Sequence, residues 1–237
     1  PPRLRGAFIR KKIKNPGNRK NAIEMQPTEG RTENNSGQAV NGQIITNGSY
    51  SVFVDENGCG YSKCGGVLIT RLRGKAWGEF GKDAANASKF GFVPPNGVDF
   101  VVAKYDSESG EKIAKRISGS ITAEPHRVVS EDRFASIRAR LTSMVAADSD
   151  CEIRTLELIN CGKVEETVDI GMFAEIALAP AREFEAHPAF VHVCTESERV
   201  DDTLIFTMRK KPGKPSYSAF FNVASLERVQ FCADGLV

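Results

Sequence analysis

Tryptophan occurs once in this chain of 237 residues and histidine three times. None of the six cysteines, at positions 59, 64, 151, 161, 194 and 232, forms a Cys-x-x-Cys pair or has a histidine at ligand spacing. A zinc site, which needs close-spaced thiolates or imidazoles, finds no support, and no metal or other cofactor is expected. The cysteines read as free thiols, and Cys151 and Cys194 fall in strand-like runs where a small apolar side chain packs well. No stretch approaches the ~20 apolar residues that cross a bilayer as a helix. No secretory leader is read ahead of the first strand, so a reducing compartment is expected. The chain begins Pro1-Pro2-Arg3 without an initiator methionine, as a processed product or an excised fragment would. It shows no internal repeat, and no glycine-rich loop opens a helix to cradle phosphate.

Acids are missing from residues 1–23, which hold Arg3, Arg5, Arg10, Lys11, Lys12, Lys14, Arg19 and Lys20, although the whole chain carries a net charge of only +2. Such a segment attracts nucleic acid or an acidic membrane by counterion release. No aromatic platform is interleaved for base stacking, so a solvated, self-repelling arm is preferred over nucleic-acid binding. Pro27 to Gly42 is rich in Asn, Gly, Thr and Gln and has little to bury. Residues 1–42 are therefore expected to form a basic, poorly structured arm and polar linker, and deleting residues 1–23 is expected to leave the melting temperature almost unchanged.

From residue 43 to 237 the pattern is strand after strand, with 41% hydrophobic residues in the chain, enough for a sizeable core. Tyr50, Val52 and Val54 alternate with Ser51, Phe53 and Asp55, and Asp55-Glu56-Asn57-Gly58 suits a tight reversal. Gly60-Tyr61-Ser62 reads as a turn between strands. Ala135, Ile137, Ala139 and Leu141 oppose Ser136, Arg138 and Arg140. The runs 151–159 and 168–178 flank Asn160-Cys161-Gly162-Lys163, a hairpin signal, and Val168, Ile170, Met172, Ala174 and Ile176 mark an inward face. Only Asp83 to Lys89 and Ala181 to Ala186 look helical. The expected fold is all-β, a large antiparallel β-sandwich in one domain of residues 43–237 behind the arm.

Asn47-Gly48-Ser49-Tyr50-Ser51-Val52, Gly58-Cys59-Gly60-Tyr61-Ser62 and Ile69-Thr70-Arg71 together resemble the amino-terminal β-sandwich, of the supersandwich type, of glycoside hydrolase family 94, formerly glycosyltransferase family 36. Glu175 to Pro180, His187-Pro188-Ala189-Phe190 and Thr203 to Thr207 follow in the same order, most like the cyclic β-1,2-glucan synthase and β-1,2-oligoglucan phosphorylase members. Cys64 and Leu72 stand where those members carry tryptophans. The resemblance implies that the sandwich precedes an (α/α)6 helical barrel carrying the catalytic acid. No such run of helices is read in this chain, so the barrel would belong to the rest of a parent polypeptide, glycosyltransferase or phosphorylase. With no secretory leader read, a cytoplasmic location is expected, or the cytoplasmic part of a membrane-bound parent, and a homodimer stays open.

The chemistry so implied is inverting phosphorolysis, which needs a carboxylic acid beside a phosphate site. Asp169, Glu175 and Asp201-Asp202 have no partner at a recognisable spacing and read as solvated, so no catalytic residue is assigned. A sugar surface pairs an aromatic plate with hydroxyl-binding polar groups. Tyr61, Ser62, Arg71 and Trp77 are the best such set, although Trp77 reads first as a core plug; His187 with Phe190 is a second cluster, although His187 reads first as a structural turn residue. His126 follows Pro125 in a loop and His192 alternates inside a strand. Three functions stay open. The favoured one is a non-catalytic sandwich that shapes the substrate entrance and subunit contacts of a glucan enzyme's barrel. The others are a free-standing module binding β-linked glucan or oligosaccharide weakly, and a basic-armed β-domain binding nucleic acid or protein.

Overall fold

The computed structural model describes residues 5–14, 42–55, 60–70, 98–105, 112–116, 120–209, 213, 215–225 and 229–232. Among them run strands β1 (Arg5–Ile13), β2 (Gly42–Thr46), β3 (Tyr50–Asp55), β4 (Gly60–Cys64), β5 (Val67–Thr70), β6 (Val98–Tyr105), β7 (Lys112–Arg116), β8 (Ser120–Glu124) and β9 (Arg127–Phe134). They continue as β10 (Ile137–Val145), β11 (Glu152–Asn160), β12 (Glu166–Ala174), β13 (Ile176–Pro180), β14 (Thr195–Val200), β15 (Thr203–Met208), β16 (Ser218–Asn222) and β17 (Val229–Cys232). Helices α1 (Ala181–Ala186) and α2 (Pro188–Cys194) interrupt them. The strands form four antiparallel sheets, ordered β17-β1-β12-β6-β7, β11-β10-β9-β8, β13-β5-β4-β3-β2 and β14-β15-β16. The all-β sandwich expected from period-two patterning is what the chain adopts.

The alternation in β10 sets the core. Ile137, Ala139 and Leu141 are buried while Arg138 is exposed, and the cross-strand register puts Leu158 and Leu156 of β11 on the same inner face. That face packs on Val102 of β6, Val168 and Ala174 of β12, Phe184 of α1, Val191 of α2 and Leu204, Phe206 and Met208 of β15. A second cluster joins Ile45, Tyr50, Val52 and Val54 of β2 and β3 to Val128 of β9. Gly60 has a steric reason: a Cβ there would fall 1.6 Å from the carbonyl oxygen of Phe53, so only glycine lets β4 pair with β3 at this register.

Several expectations are corrected. Arg5–Ile13, assigned to a poorly structured arm, is an interior strand, hydrogen-bonded along its length to β12 and over Gly6–Ile9 to β17. Its basic residues masked the Ala7-Phe8-Ile9 segment, and the strand exists because long-range partners complete its ladder. Gly60-Tyr61-Ser62 is strand β4 rather than a turn. The segment 161–165 is not a hairpin, since β11 and β12 belong to different sheets. Buried Asn160 holds this crossing: its amide donates to the Val164 carbonyl at 2.6 Å and its Oδ1 accepts from the Gly162 N–H at 2.8 Å. Ala135 lies in the β9–β10 turn at φ 52° and is exposed, outside the alternation. His192 and Cys194 lie in α2 rather than a strand, because the preceding helix and Pro188 start a second helical turn. Glu175, read as solvated, is 2% exposed at the bend between β12 and β13. Asp83 to Lys89 lies outside the described residues, and α1 falls where Ala181 to Ala186 was expected.

Removing residues 1–13 strips one strand from the middle of a five-stranded sheet and uncovers the edge of β12. The expected result in a thermal melt followed by circular dichroism is loss of the cooperative transition. A shift of only a few degrees would show that β1 is dispensable.

Candidate functional site

The inner face of β11 changes character along its length. Leu158 and Leu156 are apolar, but the next residues of the same parity, Arg154 and Glu152, carry charge into the seam where this sheet meets β3, β4 and β5. There the Ser62 hydroxyl donates to Glu152 Oε2 at 3.0 Å and shares a 2.8 Å hydrogen bond with Thr70 Oγ1, which also accepts the Ser62 N–H at 2.9 Å. Arg154 pairs with Glu152 at 3.4 Å, their side chains being 9% and 16% exposed. Burial, reinforced by the Glu152 carboxylate, pushes the Tyr50 phenol well above its ordinary value, while its hydrogen bond with Ser62 opposes the shift.

At the seam's outer end a latch ties the β2–β3 hairpin to the loop before β11. Asn47 Nδ2 donates to the carbonyls of Ala146 at 2.8 Å and Ser149 at 3.0 Å. The Ser49 hydroxyl donates to one oxygen of Asp150, and the Cys64 thiol to the other at 3.3 Å. Asp150 is held below the usual carboxylate range by Ser49 and then by Cys64; burial and that carboxylate push the Cys64 thiol up. A thiol so held is a poor nucleophile, consistent with a packing role.

The expected sugar residues are not brought together as one surface. Ser62 is 0% exposed and engaged within the seam. Tyr61, its neighbour on β4, points the other way and is half-buried, stacked on Phe53 with ring centroids 5.5 Å apart; the register places exposed Ile44 beside Phe53. In this outward row Phe53 and Tyr61 form an aromatic plate on the outer face of the sheet, with Ile44 beside it. Arg71 and Trp77 lie outside the described residues. His187 is exposed at the end of α1, where its N–H donates to the Glu183 carbonyl and its own carbonyl accepts from Phe190 and Val191, so its backbone joins the two helices.

Sequence reasoning passed over Glu152, Arg154, Asp150 and Phe53. Glu152 and Arg154 share the parity of Leu156 and Leu158, a signal that the core face of β11 ends in charge. No group of three or more His, Cys, Asp and Glu side chains among the described residues could hold a metal ion, and no described helix is long and apolar enough to cross a membrane. Two of the described carboxylates, Glu124 beside Arg127 and Asp150 beside Ser49, are held below their ordinary range, opposite to what a general acid needs.

Residues 115–235 match the family described as glycosyl hydrolase 94, supersandwich domain. The chain is also similar to a cyclic beta-(1,2)-glucan synthase, NdvB, of Rhizobium meliloti (strain 1021), with 28% identity over 194 residues. That alignment covers 73% of this chain and 6% of the relative, so the chain spans a small fraction of the protein it resembles.

Glu152→Ala leaves Arg154 in the seam without its carboxylate and is expected to cost about 3–5 kcal/mol in a urea melt, against about 1–3 kcal/mol for Ser62→Ala. Equal, negligible costs would show that the seam does not hold the sheets together. The latch has a pH signature. Because Asp150 is held low in the folded chain, its contribution is complete above the ordinary carboxylate value and fades as pH falls through the lowered one. Asp150→Asn is therefore expected to be less stable than the parent at pH 7, with the gap closing in acid below about pH 4.

Proposed function

The chain belongs to the glycosyl hydrolase 94 supersandwich family, and from that premise we propose that it is a non-catalytic β-sandwich of an enzyme acting on β-1,2-linked glucan. In this reading it supports and shapes the entrance to a catalytic (α/α)6 barrel in the same polypeptide. The carrying observation is the family match over residues 115–235, together with the similarity to a cyclic beta-(1,2)-glucan synthase. The engagement of several described carboxylates supports it. Glu152 is committed to Arg154 and Ser62, Glu196 to Arg209, Glu124 to Arg127, and Glu166 to Ser136, while Glu175 is shut inside the fold. An acid that protonates a glycosidic oxygen must be both reachable and hard to ionise.

A second reading, a carbohydrate-binding module, is favoured by one observation. The stacked Tyr61 and Phe53 rings face outward from the sheet and would take the C–H face of a pyranose.

Purified chain incubated with β-1,2-linked glucose oligomers and inorganic phosphate is expected to release no glucose 1-phosphate. Release above that of a heat-denatured control would overturn the non-catalytic reading.

A further inference from the structure

The three-stranded sheet β14-β15-β16 has one face in the core and one in solvent. Leu204, Phe206 and Met208 face inward. The outward face is a grid fixed by the cross-strand register: Glu196, Thr207 and Ser218 in one row, Glu198, Ile205 and Phe220 in the next, Val200, Thr203 and Asn222 in the third. Phe220 stands in the central row, 71% exposed, beside half-buried Ile205. The flanking rows are polar where they meet β15 and β16. Thr207 and Ser218 share a 3.2 Å hydroxyl hydrogen bond, and the Asn222 amide donates to Thr203 Oγ1 at 2.9 Å.

We infer that this face is a binding platform for a β-linked glucose oligomer, with one pyranose stacked on Phe220 and the next lying over Ile205 toward the Glu198 carboxylate. The inference rests on the reading of the chain as part of a glucan enzyme and adds a site to it. Rows along a strand are about 7 Å apart and the outer strands of the three about 10 Å apart, so a disaccharide laid across the strands spans Phe220 to Glu198. Its equatorial hydroxyls then fall over the Thr207–Ser218 pair on one side and the Thr203–Asn222 pair on the other. An exposed aromatic plate framed by short hydroxyl and amide groups is the chemistry a neutral sugar needs.

Other occupants fit less well. One exposed phenylalanine, one half-buried isoleucine and half-exposed Val200 at a corner of the grid fall far short of the roughly 1,000 Å² that a stable protein interface buries. Glu196 is neutralised by Arg209, at 2.8 and 3.0 Å, which leaves Glu198 as the charge of the grid without an ion pair among the described residues and disfavours nucleic acid and anionic lipid. Glu198 can instead accept two adjacent sugar hydroxyls.

The test is a titration of the whole chain with β-1,2-linked glucose di- to pentasaccharides, followed by backbone amide shifts. The expected response is centred on residues 203–207 and 218–222 with a dissociation constant on the order of millimolar. Phe220→Ala, which removes an exposed side chain and leaves the fold intact, is expected to weaken binding at least about tenfold, and Phe220→Trp to strengthen it about threefold. Glu198→Gln is expected to weaken it severalfold. Shifts centred on Tyr61 and Phe53 instead would overturn this site while leaving the glucan-enzyme reading intact. No response at tens of millimolar, or a dimer in sedimentation that Phe220→Ala dissolves, would also overturn it. Release of glucose 1-phosphate by the chain, unchanged in Phe220→Ala, would refute the non-catalytic reading independently of this one.

Discussion

Glu152 reaches Ser62 from across the seam between two sheets, and much of the architecture is arranged around satisfying that carboxylate. A charge facing inward from a strand is tolerated only when paired and hydrogen-bonded, because leaving water costs it several kcal/mol. Arg154, two residues further along the same face, supplies the countercharge, and Ser62 with Thr70 supplies hydroxyl groups. These demands fix the register of β3, β4 and β5 against β11, since sliding either sheet by one residue would replace each polar partner by one of opposite orientation.

Two apolar clusters make up the described interior, and partly buried Ile69 touches both. Leu156 and Leu158 continue into the large cluster with β12, β15 and the two helices; Ile45, Val52 and Val54 pack on Val128. The Asp150 latch closes the open end, so that the β2–β3 hairpin is fixed by both a buried network and a surface one. Among the described residues, the aromatic side chains on outward sheet faces include the Tyr61–Phe53 stack on one sheet and Phe220 on another. Flat faces of this kind suit extended, neutral ligands better than the enclosed pocket that bond cleavage requires.

Much of the fold was legible because half-buried strands write themselves in period two. The alternation of Ile137, Ala139 and Leu141, the inward Val168 and the helix at Ala181 to Ala186 all lie where patterning places them. The candidate site was less legible. Tyr61 and Ser62 are adjacent, and their joint use as one sugar surface presumed a turn; in a strand, neighbours face opposite sides, which sent Ser62 into the seam and left Tyr61 outside. Phe220 and Phe221 are divided in the same way, one exposed and one against the core.

What the sequence determined by itself is the local grammar: β-strands of alternating polarity, and the glycine at position 60, where any side chain would strike the Phe53 carbonyl. Which strands pair was decided only by the tertiary structure. Arg5–Ile13 carries too much charge to announce itself as a strand, and becomes one because β12 and β17 complete its hydrogen bonds. Segment 161–165 looks like a hairpin turn, yet it crosses between sheets because Asn160 is held in the interior by its own turn. Pairing between distant strands depends on surfaces assembled from the whole chain, and period-two patterning carries no information about which distant partner will supply them.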